Sequence, residues 1–314
     1  MSLEPKANHH ERRLFLAQGL KLASLARAGR SFSQSQLVQP WIMRDSGVRI
    51  KIALNAYSFD KQLRAGRTNL EQLIEFCAEQ GLDALDATGY YFPNYPSIPS
   101  DETIYRLKQK AYLNGIAISF TGVKNDFTLP SAEARKKEVQ LVKDWIMVAS
   151  KLGAPMIRVF TGPAQPQGYT FNQVLEWMIP DFQECAEFGK AHGVAIGLQN
   201  HEDFIRTAGE VIRIVKEVNS CWFGSVLDVG SLRKFDVYQE IEKLLPYAVS
   251  WLIKENVWYG EKPVPVDLYR VRAIVDRHGY RGYLPILTLG EGDPAQKVVK
   301  LARNMRAVFA PECS

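Results

Sequence analysis

From Arg49 onward, short unbroken apolar runs alternate with stretches whose apolar residues recur at helical spacing, and the alternation continues almost to the C-terminus. A short continuous apolar run suits a strand buried on both faces, whereas apolar residues three and four apart make one face of a helix. Ile50 to Phe59 reads as a first strand, and Thr68-x-x-Glu71 as a capping box for a helix with Leu70, Leu73, Ile74, Cys77 and Ala78 on one face. Leu82 to Tyr90 is a second strand. Ser100 then caps a helix carrying Ile104, Leu107 and Ala111. Strands three and four are expected over Ile116 to Thr121 and Pro155 to Thr161, flanking a long helix between Ser131 and Leu152 that Gly153 ends. Phe171 to His192 predicts a helix bent or divided near Pro180.

Val194 to Leu198 makes strand five, which runs into the polar Gln199-Asn200-His201. Thr207-x-x-Glu210 is a second capping box, Trp222 to Val229 is strand six, Asp236 with Gln239 opens a helix that stops by Pro246, and Ala248 to Lys254 is strand seven. Leu268, Val271 and Val275 mark a helix ended by Gly279, Gly282 to Leu289 is strand eight, and Asp293-Pro294 opens a closing helix. Eight strand-helix repeats with connections long enough for parallel pairing, and none that reads as a hairpin, predict a single α/β domain of the (β/α)8 TIM barrel type. A doubly wound open sheet is the competing fold, but no glycine-rich phosphate loop follows any strand.

Residues 1–47 stand apart from this pattern as an N-terminal leader and linker, with the barrel expected over 48–314. Glu11-Arg12-Arg13-Leu14-Phe15-Leu16 resembles a twin-arginine export signature, and Leu20 to Ala28 supplies a small-residue cleavage zone. Lys21 and Arg27 interrupt its apolar core, so two expectations stand together: a periplasmic protein cleaved near Ala28, and a cytoplasmic one that keeps a basic leader. Ser31 to Ser46 reads as a linker.

With 314 residues, 46% hydrophobic and 23% charged, the chain is long enough for one large core. The net charge of +5 is dispersed, which argues against a nucleic-acid partner. No apolar run reaches the roughly 18 residues a membrane span requires. Cys77, Cys185, Cys221 and Cys313 are far apart, with no CxxC pair for a zinc site or disulfide frame.

In such a barrel the chemistry sits where the strands end. The predicted tips carry Asn55 and Tyr57; Asp86, Thr88 and Tyr90; Thr121, Lys124, Asn125 and Asp126; Arg158; Gln199, Asn200 and His201; Asp228; Lys254 and Glu255; and Thr288. Asn55, Tyr57, Tyr90, Lys124, Arg158, Gln199, Asn200, Glu255 and Trp251 are the candidate contacts for a small carbohydrate, by hydrogen bonding and aromatic stacking. Asp86 and Asp126 read instead as ties at the barrel end. His201 is the one histidine at a strand tip, since His192 and His278 precede glycines at helix ends and His9 and His10 lie in the leader. An imidazole there can serve as a general base or merely orient a loop, and Lys254 can polarise a carbonyl oxygen or simply pair with Asp228 or Glu255.

The segments LDALDATGYYFPNYP, TGVKNDF, KLGAPMIRVFTGP, GLQNHEDF, LDVGS, WLIKEN and GYLPILTLGEGDP together resemble the xylose-isomerase-like barrel superfamily of sugar-phosphate isomerases and epimerases, from about Ile50 to Phe309. The resemblance implies a divalent metal, manganese, magnesium or zinc, held by Glu, Asp, His and Glu at the ends of strands five to eight. Those positions correspond here to Gln199, Asp228, Leu252 and Leu287, leaving Gln199 and Asp228 as an incomplete metal site. Gln199 cannot act as a base, and Leu287 can neither ligate nor carry a proton. Five histidines so distributed also cannot build the multinuclear centre of the superfamily's endonucleases.

The resulting expectation is a sugar or sugar-phosphate isomerase or epimerase that transfers a proton next to a carbonyl, with His201, Asp228 and Lys254 as catalytic residues. Three alternatives stay open: a keto-sugar lyase, a barrel that binds a sugar or sugar acid without turnover, and a metal retained by Gln199, Asp228, His201 and water.

Overall fold

The computed structural model describes residues 50–201, 204–233 and 236–310. The leader, with its twin-arginine-like segment and two histidines, lies outside the described residues, as does Cys313.

Eight parallel strands close into a barrel: β1 (Lys51–Asn55), β2 (Ala84–Asp86), β3 (Ala117–Gly122), β4 (Met156–Val159), β5 (Ala195–Gln199), β6 (Phe223–Asp228), β7 (Ala248–Lys254) and β10 (Tyr283–Leu287). Their order around the barrel is β1-β10-β7-β6-β5-β4-β3-β2, with Asn55 level with Asp86, Asp228 level with Leu252, and Lys254 level with Leu287. The helices are α1 (Asp60–Arg64), α2 (Leu70–Glu79), α3 (Asp101–Leu113), α4 (Ala132–Leu152), α5 (Phe171–Ala191), α6 (Ala208–Val218), α7 (Val237–Leu244), α8 (Leu268–His278) and α9 (Pro294–Phe309). None of the described helices is long and apolar enough to cross a membrane.

Alternation along each strand divides the core in two. Outward residues such as Leu54, Leu85, Ile157, Leu198 and Leu227 pack against the helices, while Phe120, Met156, Val226, Leu252 and Leu287 fill the barrel itself. The interior is close-packed: a Cβ on Gly197 would stand 2.7 Å from Val226 Cγ2 and 3.1 Å from Met156 Cε.

Several expected boundaries move. β1 stops at Asn55, whose side chain accepts a hydrogen bond from the Tyr57 amide and turns Ala56–Phe59 into a 3-10 helix. Asn69, not Thr68, caps α2, in a box completed by Gln72. Helix α5 is one continuous element with Pro180 inside it, opened by a Thr170–Gln173 capping box; the apolar residues it buries on both sides of the proline outweigh one lost backbone hydrogen bond.

The chain also contains a hairpin where none was expected. Strands β8 (Asn256–Tyr259) and β9 (Lys262–Pro265) pair antiparallel directly after β7. Pro263 and Pro265 obscure the strand pattern, yet they are tolerated because this ribbon has free edges, and Gly260 at φ +62° makes the tight turn.

Candidate functional site

The inward side chains at the strand C-termini form two charged clusters above the apolar filling. On the β5–β7 side, the Asp228 carboxylate is fully buried and accepts four hydrogen bonds. Its Oδ2 receives Gln199 Nε2 at 2.8 Å, Ser231 Oγ at 2.9 Å and Lys254 Nζ at 2.8 Å, and its Oδ1 receives the Gly230 amide at 3.0 Å. Lys254 Nζ also donates to Ser231 Oγ at 3.1 Å. An ammonium has three donors, so one N–H remains beyond these two partners among the described residues. The lysine stem runs over Gly230, where a Cβ would come within 2.4 Å of Lys254 Cδ; only glycine leaves room for it.

On the β1–β4 side, Asn55 Nδ2 donates to Asp86 Oδ2, and Thr88 Oγ1 to Asp86 Oδ1 at 3.3 Å. Burial pushes the Asp86 carboxyl up to about 7, against the pull of Arg158 and Thr88 towards the ionised form. Arg158 is itself buried, donating from Nη2 to the Tyr90 hydroxyl at 2.8 Å and lying 4.4 Å over the Phe160 ring. Burial alone would lower its pKa, but Tyr90 and Asp86 outweigh that and hold the guanidinium above its ordinary value. Its Nε has no partner among the described residues, and the guanidinium occupies the space where a Cβ on Gly122 would stand, 2.7 to 2.9 Å away. Burial likewise raises the Tyr90 hydroxyl.

Two asparagines tie the loops above these clusters. Asn200 exchanges a pair of hydrogen bonds with the Asp228 backbone, at 2.8 and 2.9 Å, and Asn125 does the same with Phe160, at 2.7 and 2.9 Å. His201 follows Asn200 and sets its ring edge-on to Phe160, centroids 5.5 Å apart, on the Arg158 side of the mouth.

Asn55, Tyr90, Arg158, Gln199, Asn200, Asp228 and Lys254 are thus brought together at the barrel mouth. Tyr57 stands exposed at its rim, edge-on to Tyr90. Trp251 does not join them: it is fully buried in the layer between barrel and helices, against Tyr280. Glu255 is engaged elsewhere, with Lys297 Nζ at 3.0 Å and the Leu289 amide at 3.3 Å, and ties β7 to the loop after β10. Lys124 is exposed, and its fixed contact is through its backbone amide to the Tyr95 hydroxyl. Ser231 and Phe160, absent from the candidates read from the sequence, belong to the site, and Asp86, read as a tie, sits at its charged centre. Ser231 was within reach, three residues after Asp228 in the LDVGS segment.

Residues 74–307 match the family described as xylose isomerase-like TIM barrel. The chain belongs to this family. No curated protein matches it in sequence. Among solved structures, the xylose isomerase-like fold is shared with D-psicose 3-epimerase from Clostridium cellulolyticum H10, at a TM-score of 0.71 and 17% identity over 83% of this chain and 100% of that one. It is shared with 3-keto-D-glucoside 4-epimerase from E. coli (TM-score 0.68, 12% identity, 82% and 100% covered) and with the probable 3-DHS dehydratase AsbF from Bacillus anthracis (0.63, 16%, 82% and 99%). At these identities the likeness concerns the fold.

The metal implied by xylose isomerase-like barrels does not fit the residues present. Among the described residues no three His, Cys, Asp or Glu side chains come close enough to hold an ion. Leu252 and Leu287 are part of the apolar filling, and the Lys254 ammonium stands on the carboxylate oxygen a cation would use.

Proposed function

We propose that this barrel acts on a carbohydrate by moving a proton on the carbon next to a carbonyl, as an isomerase, epimerase or lyase, with Lys254 as its electrophile. The observation that carries this is the Lys254 ammonium held 2.8 Å from a fully buried carboxylate, with Ser231 as its second partner. A preorganised cation in a water-poor site stabilises the oxyanion that forms when the proton leaves, without reorganising at that moment. Asp228, saturated by four donors, aims the Lys254 ammonium rather than taking the proton. His201, the one imidazole at a barrel strand tip among the described residues, carries the proton. Arg158 and Asn55 bind substrate oxygens.

The test is solvent deuterium exchange followed by NMR over a panel of keto-sugars. Exchange at the carbon next to the carbonyl is expected, falling about 100-fold in Lys254→Met, as for loss of one oxyanion donor. It should fall comparably in His201→Ala. Exchange that survives Lys254→Met removes lysine from the chemistry. Saturable sugar binding with no exchange would instead support a barrel that binds without turnover.

A further inference from the structure

Next to the mouth, between the tips of β1 and β10, lies a cavity of about 220 Å³ that the proton-transfer site does not use. We infer that it is a subsite for a second, uncharged sugar ring, so that the substrate is a glycoside rather than a free or phosphorylated monosaccharide. The inference rests on the carbohydrate reading of the mouth and narrows it.

Size sets the first bound: ligand pockets for larger molecules run to roughly 300–1,000 Å³, so this one suits a single small ring. Its walls have the two kinds of surface a pyranose presents. Tyr57 and Leu289, 37% and 46% exposed, offer apolar faces for C–H groups. Asp60, Gln62 and Thr288 offer hydroxyl partners, and the Thr288 Oγ1 is buried without a partner among the described residues.

Charge decides against a phosphate. Two lysines line the cavity, but Lys61 is paired with Glu291 at 3.2 Å, and Lys297 with Glu255 at 3.0 Å while it also donates to the Leu289 and Glu291 carbonyls. The Asp60 carboxylate on the same wall is itself paired with Arg64 at 2.7 Å, so among the described residues the cavity has no unpaired cation for an anion.

Position decides for a ring joined to the reacting one. Thr288 follows the inward Leu287, and the Tyr57 ring meets Tyr90, which holds Arg158, at 6.3 Å between centroids.

Titration calorimetry on the full chain tests this, with D-glucose and D-galactose beside cellobiose, maltose and lactose, and with glucose 6-phosphate. At least one disaccharide is expected to bind ten-fold or more tighter than its parent monosaccharide. Leu289→Ala should cut that gain sharply while leaving monosaccharide affinity within two-fold, and Thr288→Val, which keeps the shape, should reduce it. Equal affinity for mono- and disaccharides, or a gain unchanged in both variants, overturns the subsite and leaves the carbohydrate reading standing. Tightest binding of the phosphate ester overturns it in favour of an anion site. If no sugar binds at all, the carbohydrate reading fails and the subsite fails with it.

Discussion

Asp86 should make the folded protein less stable as the pH rises through neutrality, and Asp86→Asn should remove that dependence. The carboxyl is fully buried and pushed up to about 7, whereas an exposed aspartate titrates near 3.8. Between these values the folded chain holds a proton that the unfolded chain has released, so stability falls as pH rises across the window. Each pH unit inside it is worth about 1.4 kcal/mol, so from pH 5 to pH 8 the contribution of Asp86 falls by roughly 3 kcal/mol. The amide of Asn is nearly isosteric and can still accept from Asn55, but it does not titrate. Urea denaturation at pH 5, 6, 7 and 8 should give the variant a stability that falls by roughly 3 kcal/mol less than that of the parent over this range. The same pH dependence in both proteins would show that burial at the β2 tip does not dominate over the Arg158 charge, and would refute the reasoning.

Two further outcomes follow from the same packing. Gly122→Ala places a methyl group 2.7 to 2.9 Å from the buried Arg158 guanidinium and should cost about 1–3 kcal/mol by chemical denaturation; unchanged stability would mean the arginine is not fixed there. Leu252→Gln with Leu287→Glu and Lys254→Ala should create calorimetrically measurable manganese binding, at least ten-fold tighter than the same pair of changes with Lys254 retained; equal binding would show that the ammonium does not occupy the cation's position.

The barrel was legible because its strands are buried on both faces and its helices are capped by recognisable residues: Ser100, Thr207, Asp236 and Asp293 all cap where the pattern puts them. Strand ends were less so. Ala56 to Phe59 and Ala87 to Tyr90 continue the apolar run while the backbone has already turned, so composition alone extends both strands too far. The hairpin after β7 was hidden by the two prolines in its second strand. In the site, Lys254 was expected to pair with Asp228 or Glu255, and the structure gives it Asp228. The roles of Gly122 and Gly230 were not legible, because a glycine that makes space for a distant side chain leaves no local pattern. Trp251 was misjudged for a related reason: a single residue of register decides whether a side chain faces the ligand or the helices.

The paired hydrogen bonds of Asn125 and Asn200 lengthen the ladder by one rung past where the strands end. Each side-chain amide offers its neighbour the donor and acceptor that another peptide group would have offered. The Phe160 and Asp228 amides should therefore exchange with deuterated solvent as slowly as amides in the barrel wall, although they sit at the threshold of the loops. Such a rung uncouples the precision of the mouth from the sequence of the connections above it. Those connections are free to vary, and with them the molecules admitted, while the groups beneath stay in register.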